Sequence, residues 1–311
     1  MKRAKILAAL KWAWFAAVLL AAGWYLATRY QEISAYLGTL SFGRLTLSAL
    51  ALLGGKFLVA DITRLALKKV DHPVGFFKAL TITYVTQLGK YLPGGIWHFA
   101  GKFGAYRLGG LSAKKSTQAL VLETAWLFSA SGVTGIALLA ASSGDWACQL
   151  ARFLCGRGVL TAIAIGLPLV WAAGLWLFEW LFFSKQAVRG GDFLRALFEL
   201  AAIWLLFGIS FWLVFPVGSG YLAQITGAFS LGWLAGYAAF FAPGGIGVRE
   251  ALLAVLLSAY FSPAEAAIYA AVHRLLWVLA EILLGAGSAL VFGLPGQAAG
   301  AEPPPAGGGK I

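Results

Sequence analysis

Two stretches of this chain combine backbone-breaking residues with charge in a pattern suited to binding an anion. Lys90-Tyr91-Leu92-Pro93-Gly94-Gly95-Ile96 and Ala242-Pro243-Gly244-Gly245-Ile246-Gly247-Val248-Arg249-Glu250 share a Pro-Gly-Gly-Ile core. Proline lacks an N–H and glycine tolerates positive φ, so such a break turns tightly and leaves backbone donors at the start of the next helix. A helix start carries partial positive charge and unpaired N–H groups, which suit a phosphate. Gly94, Gly95, Gly244 and Gly245 are therefore candidate backbone contributors, and Arg249 follows the second break closely enough to hold phosphate oxygens with its planar fork. Lys90, Lys102 and Arg274 are candidate point charges at the same site. Glu123, Glu250, Glu281, His98 and His273 are candidates for charge balance or polar contact. A purely structural role competes for Arg249, through a local pair with Glu250 or a link to Glu281, because ionised groups in hydrocarbon need partners. Either histidine can serve by hydrogen-bonding a backbone carbonyl. Glu179, Glu199 and the tryptophans read as interfacial or packing residues.

The similarity between the two breaks continues downstream. Ser112 lies nineteen residues after Pro93 and Ser262 nineteen after Pro243, while Glu123 and His273 each stand thirty residues after their proline. Composition says what surrounds these motifs. Of 311 residues, 60% are hydrophobic and only 12% charged, against about 25% charged in a soluble domain. Several apolar runs approach the roughly 20 residues a helix needs to cross a bilayer, and short alternating strands of the outer-membrane type are absent. The expected fold is all-α, a polytopic inner-membrane helical bundle forming one domain over 1–293 with a disordered tail over 294–311. The formal charge of +12 sits between apolar runs, which points to topology and anionic headgroups and excludes a nucleic-acid surface. Cys148 and Cys155 have no metal-site spacing. An extracytoplasmic loop would permit a disulfide between them, and helical i,i+7 spacing would forbid it.

Taken in order, a basic N-terminus and an apolar run over 12–27 predict an uncleaved first span with its N-terminus in the cytoplasm. A second span over 45–67 contains Lys56, Asp61 and Arg64, with Asp61 and Arg64 on one helix face. Residues 74–92 lead into the first break and 96–108 lead out. Read as a hairpin that enters and leaves on one side, this stretch keeps Lys102, Arg107, Lys114 and Lys115 with Lys68 and Lys69. Ser112 then caps a long helix to about residue 141. Spans over 159–181 and 193–214 follow, then a second hairpin with arms over 221–242 and 246–261, then a last helix from Ser262 to about residue 292. This threading puts fourteen lysines and arginines in the cytoplasm and only Arg29, Arg44, Arg152 and Arg157 outside. Both termini are cytoplasmic. There are about six full spans and two re-entrant hairpins, which enter from opposite sides as an inverted-topology repeat, one copy over about 74–141 and the other over 221–292.

The run Gln87-Leu88-Gly89-Lys90-Tyr91-Leu92-Pro93-Gly94-Gly95-Ile96-Trp97-His98, together with Leu122-Glu123, the second break through Glu250, and His273-Arg274, resembles the lysylphosphatidylglycerol synthase transmembrane-region family of flippase-like membrane proteins. The resemblance covers about residues 5–293. It implies a membrane protein that moves a modified phospholipid or lipid-linked glycan between leaflets, so the expected cargo is a phospholipid-derived or polyprenyl-phosphate-linked lipid; lipid- or glycan-synthesis enzymes are candidate partners on a separate reading. The family's bifunctional synthases continue into an aminoacyl-transferase domain, whereas here a short tail follows, so lysyl transfer is not expected. The hairpins are also similar to undecaprenyl-diphosphate phosphatases, but those have a serine after the Pro-Gly, and Gly245, Ile246 and Gly247 offer no nucleophile. No catalytic residue, metal or cofactor is expected. No nucleotide-binding P-loop motif is present, so transport would be passive, ion-coupled or driven by metabolism. A non-transporting subunit of a synthesis complex is the remaining alternative.

Overall fold

The computed structural model describes residues 36, 38–91, 96–142, 156–183, 190–239, 242, 245 and 247–295. Gly94, Gly95, Gly244, the span expected over 12–27, both cysteines and residues 296–311 lie outside the described residues. Nine α-helices run through the described residues, which contain no strand: α1 (Phe42–Lys69), α2 (Phe76–Gln87), α3 (Trp97–Leu108), α4 (Ala113–Ala141), α5 (Arg157–Phe182), α6 (Gly190–Val214), α7 (Leu222–Ala238), α8 (Val248–Leu257) and α9 (Pro263–Phe292). Five of them, α1, α4, α5, α6 and α9, are long and apolar enough to cross a membrane. Many large apolar side chains stand on the outer surface, including Leu169, Val170, Phe198, Leu283 and Leu290, as lipid contact requires.

The other four helices are short. At 1.5 Å per residue, α2 and α3 are each about 18 Å long, α7 about 26 Å and α8 about 15 Å, less than the roughly 30 Å of a hydrocarbon core. The arm expected over 74–92 turns into a tight 3₁₀ segment at Leu88–Tyr91, and the arm expected over 221–242 ends its α-helix at Ala238. Each long helix that follows a break begins with the expected serine cap. Ser112 accepts from the Lys115 N–H at 3.3 Å, and Ser262 accepts from the Glu265 N–H at 3.2 Å while the Glu265 carboxylate accepts from the Ser262 N–H.

Packing between the two matched segments is reciprocal. Arm α2 packs on α9, and arm α7 packs on α4, so each first arm lies against the other segment's long helix. Glycines at equivalent positions make both crossings close. A Cβ on Gly135 in α4 would lie 2.6 Å from Leu231 and 3.2 Å from the Gly227 carbonyl of α7. A Cβ on Gly285 in α9, 150 residues later, would lie 3.0 Å from the Tyr84 carbonyl of α2. Small residues at such crossings let helix backbones approach where lipid supplies no hydrophobic drive.

Helices α1 and α6 form the most extensive pair, with Gly55 against the Phe207 ring and Ser48 donating to the Ser210 carbonyl at 2.7 Å. Arg44, at the start of α1, donates to carbonyls at the end of α6, including Trp212, Leu213 and Phe215. Helix α5 is peripheral, and its end is fixed where Glu179 accepts from Lys69 of α1 and from the Trp126 indole of α4 at 3.0 Å.

Two sequence expectations need correction here. Lys69 and Lys102, both counted among the cations facing the cytoplasm, are instead buried against Glu179 and Glu123. A carboxylate across the bundle, too distant in sequence to register in a loop count, draws each ammonium inward. Glu179 is fully buried in that pair, a packing position.

Candidate functional site

The site is organised on α9. Helical spacing of four puts His273, Trp277 and Glu281 on one inward face, with Arg274 beside it. Glu281, 2% exposed, is a four-donor hub. Its Oε1 accepts from Lys56 Nζ of α1 at 3.0 Å, Lys90 Nζ at 2.6 Å and the Trp277 indole at 2.7 Å, and its Oε2 accepts from the Tyr91 hydroxyl at 2.6 Å. Lys90 and Tyr91 belong to the 3₁₀ segment that opens the first break, so Glu281 ties that break to the far end of the chain. The Lys56 ammonium also sits 3.9 Å from the Trp277 ring centroid.

A second pair stands beside it. Lys102 of α3 reaches Glu123 of α4 at 2.9 Å and the Thr63 hydroxyl of α1 at 3.0 Å, while the Tyr106 hydroxyl donates to Glu123 at 3.2 Å. His98, also on α3, is within 2.7 Å of the Tyr237 hydroxyl of α7.

Arg249 differs from these groups. It is 4% exposed on the first turn of α8, and no carboxylate lies within ion-pair distance among the described residues. Its guanidinium lies 4.5 Å from the Phe229 ring centroid and 5.5 Å from that of Trp277. The two structural pairings open to it in sequence are both otherwise engaged: Glu250 accepts from the Gly247 N–H at 2.8 Å, and Glu281 takes the two lysines. Gly245 holds the second break close to α7. Its φ is +72°, and a Cβ there would lie 2.5 Å from the Gly236 carbonyl oxygen.

Two adjoining cavities occupy the space between these groups. The larger, about 50 Å³, is bordered by Lys56, Lys102, Glu123 and Glu281. The smaller, about 40 Å³, is bordered by Lys90, Arg249, Arg274 and Gly245. Lys90, His98, Trp233, Tyr237 and Trp277 line both. Of the candidate residues, Arg249, Arg274, Lys90, Lys102, Gly245, Glu123, Glu281 and His98 thus border this space. Glu250 caps α8, and His273 borders neither cavity, being fully buried with Nε2 3.0 Å from Ser210 and its ring against Phe211 and Phe229.

Tyr91, Tyr237 and Trp277 are site residues that the sequence reading does not single out, and Lys56, noted there as a charge within the second span, is not placed at the breaks by it. Trp277 is legible in hindsight from its i,i+4 spacing to Glu281, and Tyr91 from its place beside Lys90. Lys56 and Tyr237 carry no local signal for their partners. No protein-family model matches this chain, and a search of curated proteins finds no match either.

Proposed function

We propose that this protein moves a lipid with a phosphate-bearing headgroup between the leaflets of a bacterial-type inner membrane, as a flippase-like transporter without a catalytic centre or cofactor. The observation that carries the reading is Arg249, a cation almost wholly buried, bordering a cavity, and without a carboxylate partner among the described residues. A buried guanidinium that serves structure alone is normally paired, because an uncompensated ion costs several kcal/mol. An incoming phosphate supplies that partner through charge-assisted bonds.

The architecture of the proposal is about six spans with two re-entrant hairpins in an inverted repeat. The shortness of α2, α3, α7 and α8 supports hairpins that turn within the bilayer. The reciprocal packing of α2 on α9 and α7 on α4, with Gly135 and Gly285 at equivalent crossings, supports a pseudo-two-fold relation between the segments. Both termini then lie in the cytoplasm. The resemblance at the two breaks agrees with this reading.

The function is tested by reconstituting the protein into liposomes with fluorescent anionic lipids and following leaflet exchange and phosphate release together. Exchange without phosphate release is expected, with Arg249→Gln lowering the rate at least tenfold at unchanged incorporation. Phosphate release would replace transport with hydrolysis, and neither activity would favour a non-transporting subunit. Topology has its own readout. A cysteine introduced at Ser112, in a background lacking Cys148 and Cys155, should react with impermeant maleimide from the cytoplasmic side, and one at Ser262 from the opposite side. Reaction of both from the same side would rule out the inverted repeat.

A further inference from the structure

We infer that the larger cavity is a subsite for a neutral, hydroxyl-bearing substituent on the lipid phosphate, of about the size of a glyceryl group, in preference to an ammonium. This rests on the lipid-transport reading and specifies the headgroup. Trp204 of α6 is fully buried and borders this cavity, and its indole N–H has no hydrogen-bond partner among the described residues. Gln87, the last residue of α2, borders the same cavity, and its side-chain carbonyl oxygen is likewise without a partner there. Buried polar groups in folded chains are nearly always hydrogen-bonded, so an orphan donor and an orphan acceptor on one space call for an occupant.

Hydrogen-bond capacity decides the class of that occupant. An indole N–H only donates and an amide carbonyl oxygen only accepts, whereas a hydroxyl does both. A glyceryl group, with a pair of hydroxyls, can serve the two orphans together. An ammonium offers the indole no acceptor, and an ionised phosphate oxygen offers the carbonyl no proton. The charges on this cavity are also met from within the chain. Lys102 lies 2.9 Å from Glu123, which accepts from Tyr106 as well, and Glu281 accepts from Lys56, Lys90, Tyr91 and Trp277. An ammonium entering here would therefore meet Lys56 and Lys102 instead of an open carboxylate.

Size and placement agree with the chemistry. At about 10–15 Å³ per water-sized body, the cavity of about 50 Å³ admits roughly four, which suits a glyceryl group. Its walls give the carbon atoms of such a group apolar surface, since the Trp204 ring packs edge-on to Trp233 with centroids 4.7 Å apart, and Trp233 stacks on Tyr237 at 4.8 Å. Trp233 and Tyr237 also line the smaller cavity, which Arg249 borders. A phosphate held at Arg249 thus sets its substituent beside Trp204 and Gln87.

The test is calorimetric titration of the purified full-length protein with short-chain phosphatidylglycerol, phosphatidylpropanol and phosphatidylethanolamine. Phosphatidylpropanol has the same phosphodiester charge and nearly the same size as phosphatidylglycerol but lacks the hydroxyls. Phosphatidylglycerol is expected to bind at least tenfold more tightly than either of the others. Trp204→Phe, which keeps a ring and removes the N–H, and Gln87→Met, which removes the carbonyl, should each reduce that preference to threefold or less while leaving the affinity for phosphatidylpropanol within about twofold; thermal unfolding checks that both are folded. Equal or tighter binding of phosphatidylpropanol or phosphatidylethanolamine, no binding by any of the three, or a preference that survives both substitutions overturns the inference. Glycerophosphoglycerol, the same headgroup without acyl chains, binding as tightly as phosphatidylglycerol would assign the subsite to a soluble phosphodiester and overturn the lipid. A phosphatidylglycerol preference without leaflet exchange in proteoliposomes would leave the subsite standing and remove transport, and exchange without the preference would do the reverse.

Discussion

Glu281→Ala is expected to destabilise the protein by about 3–5 kcal/mol, the range for removing one partner of a buried ion pair. The carboxylate accepts from two ammonium groups, an indole and a phenol, and Lys56 is only 1% exposed, so nothing else is placed to take its charge. The penalty is mainly that of leaving Lys56 buried and unpaired, which predicts a specific rescue. Adding Lys56→Met to Glu281→Gln should recover part of the loss, whereas Lys56→Met alone should lower stability by leaving Glu281 with one cation instead of two. Lys90 is the less costly of the two to leave without Glu281, because its side chain is 14% exposed against 2% for Lys56. Thermal unfolding of the purified variants in detergent measures all of these effects. A Glu281→Ala protein that melts with the wild type would show that the hub contributes little, and would remove the account of how the first break is held to α9.

The helices that can be read from sequence are those whose signals are local. Ser112 and Ser262 mark helix starts through their own side chains, and the spans expected over 159–181 and 193–214 are observed as Arg157–Phe182 and Gly190–Val214. Asp61 and Arg64, three residues apart on one helix, pair as their spacing predicts. What cannot be read is which distant group each charge meets. Lys56 and Glu281 are separated by 225 residues, and Lys69 and Glu179 by 110, so neither pair leaves a trace in any local window. Lys102, expected in the outgoing arm of the first hairpin, shows the same limit, since a hydropathy pattern records that a lysine is present but not that Glu123 stands 2.9 Å from it. Arm length is misjudged on related grounds. Apolar composition continues through 221–242, yet the α-helix ends at Ala238, and hydropathy carries no signal for where a helical ladder stops. At the site itself, the break with Arg249 is legible, as are Lys90 and Glu281. The hub that joins Lys90 and Lys56 to Glu281 needs the three-dimensional packing of α1 against α9.

Gly245→Ala should be the most damaging single-methyl change at the second break, costing more than about 2 kcal/mol and reducing lipid exchange together with stability. Two independent penalties meet there. A left-handed backbone costs a residue with a Cβ roughly 1–2 kcal/mol, and at φ +72° Gly245 adopts such a conformation. The added methyl would also lie 2.5 Å from the Gly236 carbonyl oxygen, a backbone atom of α7 that no rotamer change can move away. Gly236 itself packs against Arg249, and a methyl on Gly236 would lie only 3.0 Å from the arginine Cβ. Any retreat of the break from α7 therefore shifts the guanidinium from its place against Phe229 and Trp277. Stability and exchange fall together in this variant, whereas Arg249→Gln should lose exchange with a smaller loss of stability. Gly174→Ala is the control, since that glycine lies inside α5 with open space where the methyl would go. It should be neutral or stabilising by up to about 1 kcal/mol, as expected for replacing a helical glycine by alanine. Thermal unfolding and leaflet exchange measured on the same preparations decide the matter. A Gly245→Ala protein as stable and as active as Gly174→Ala would mean that the second break does not position Arg249.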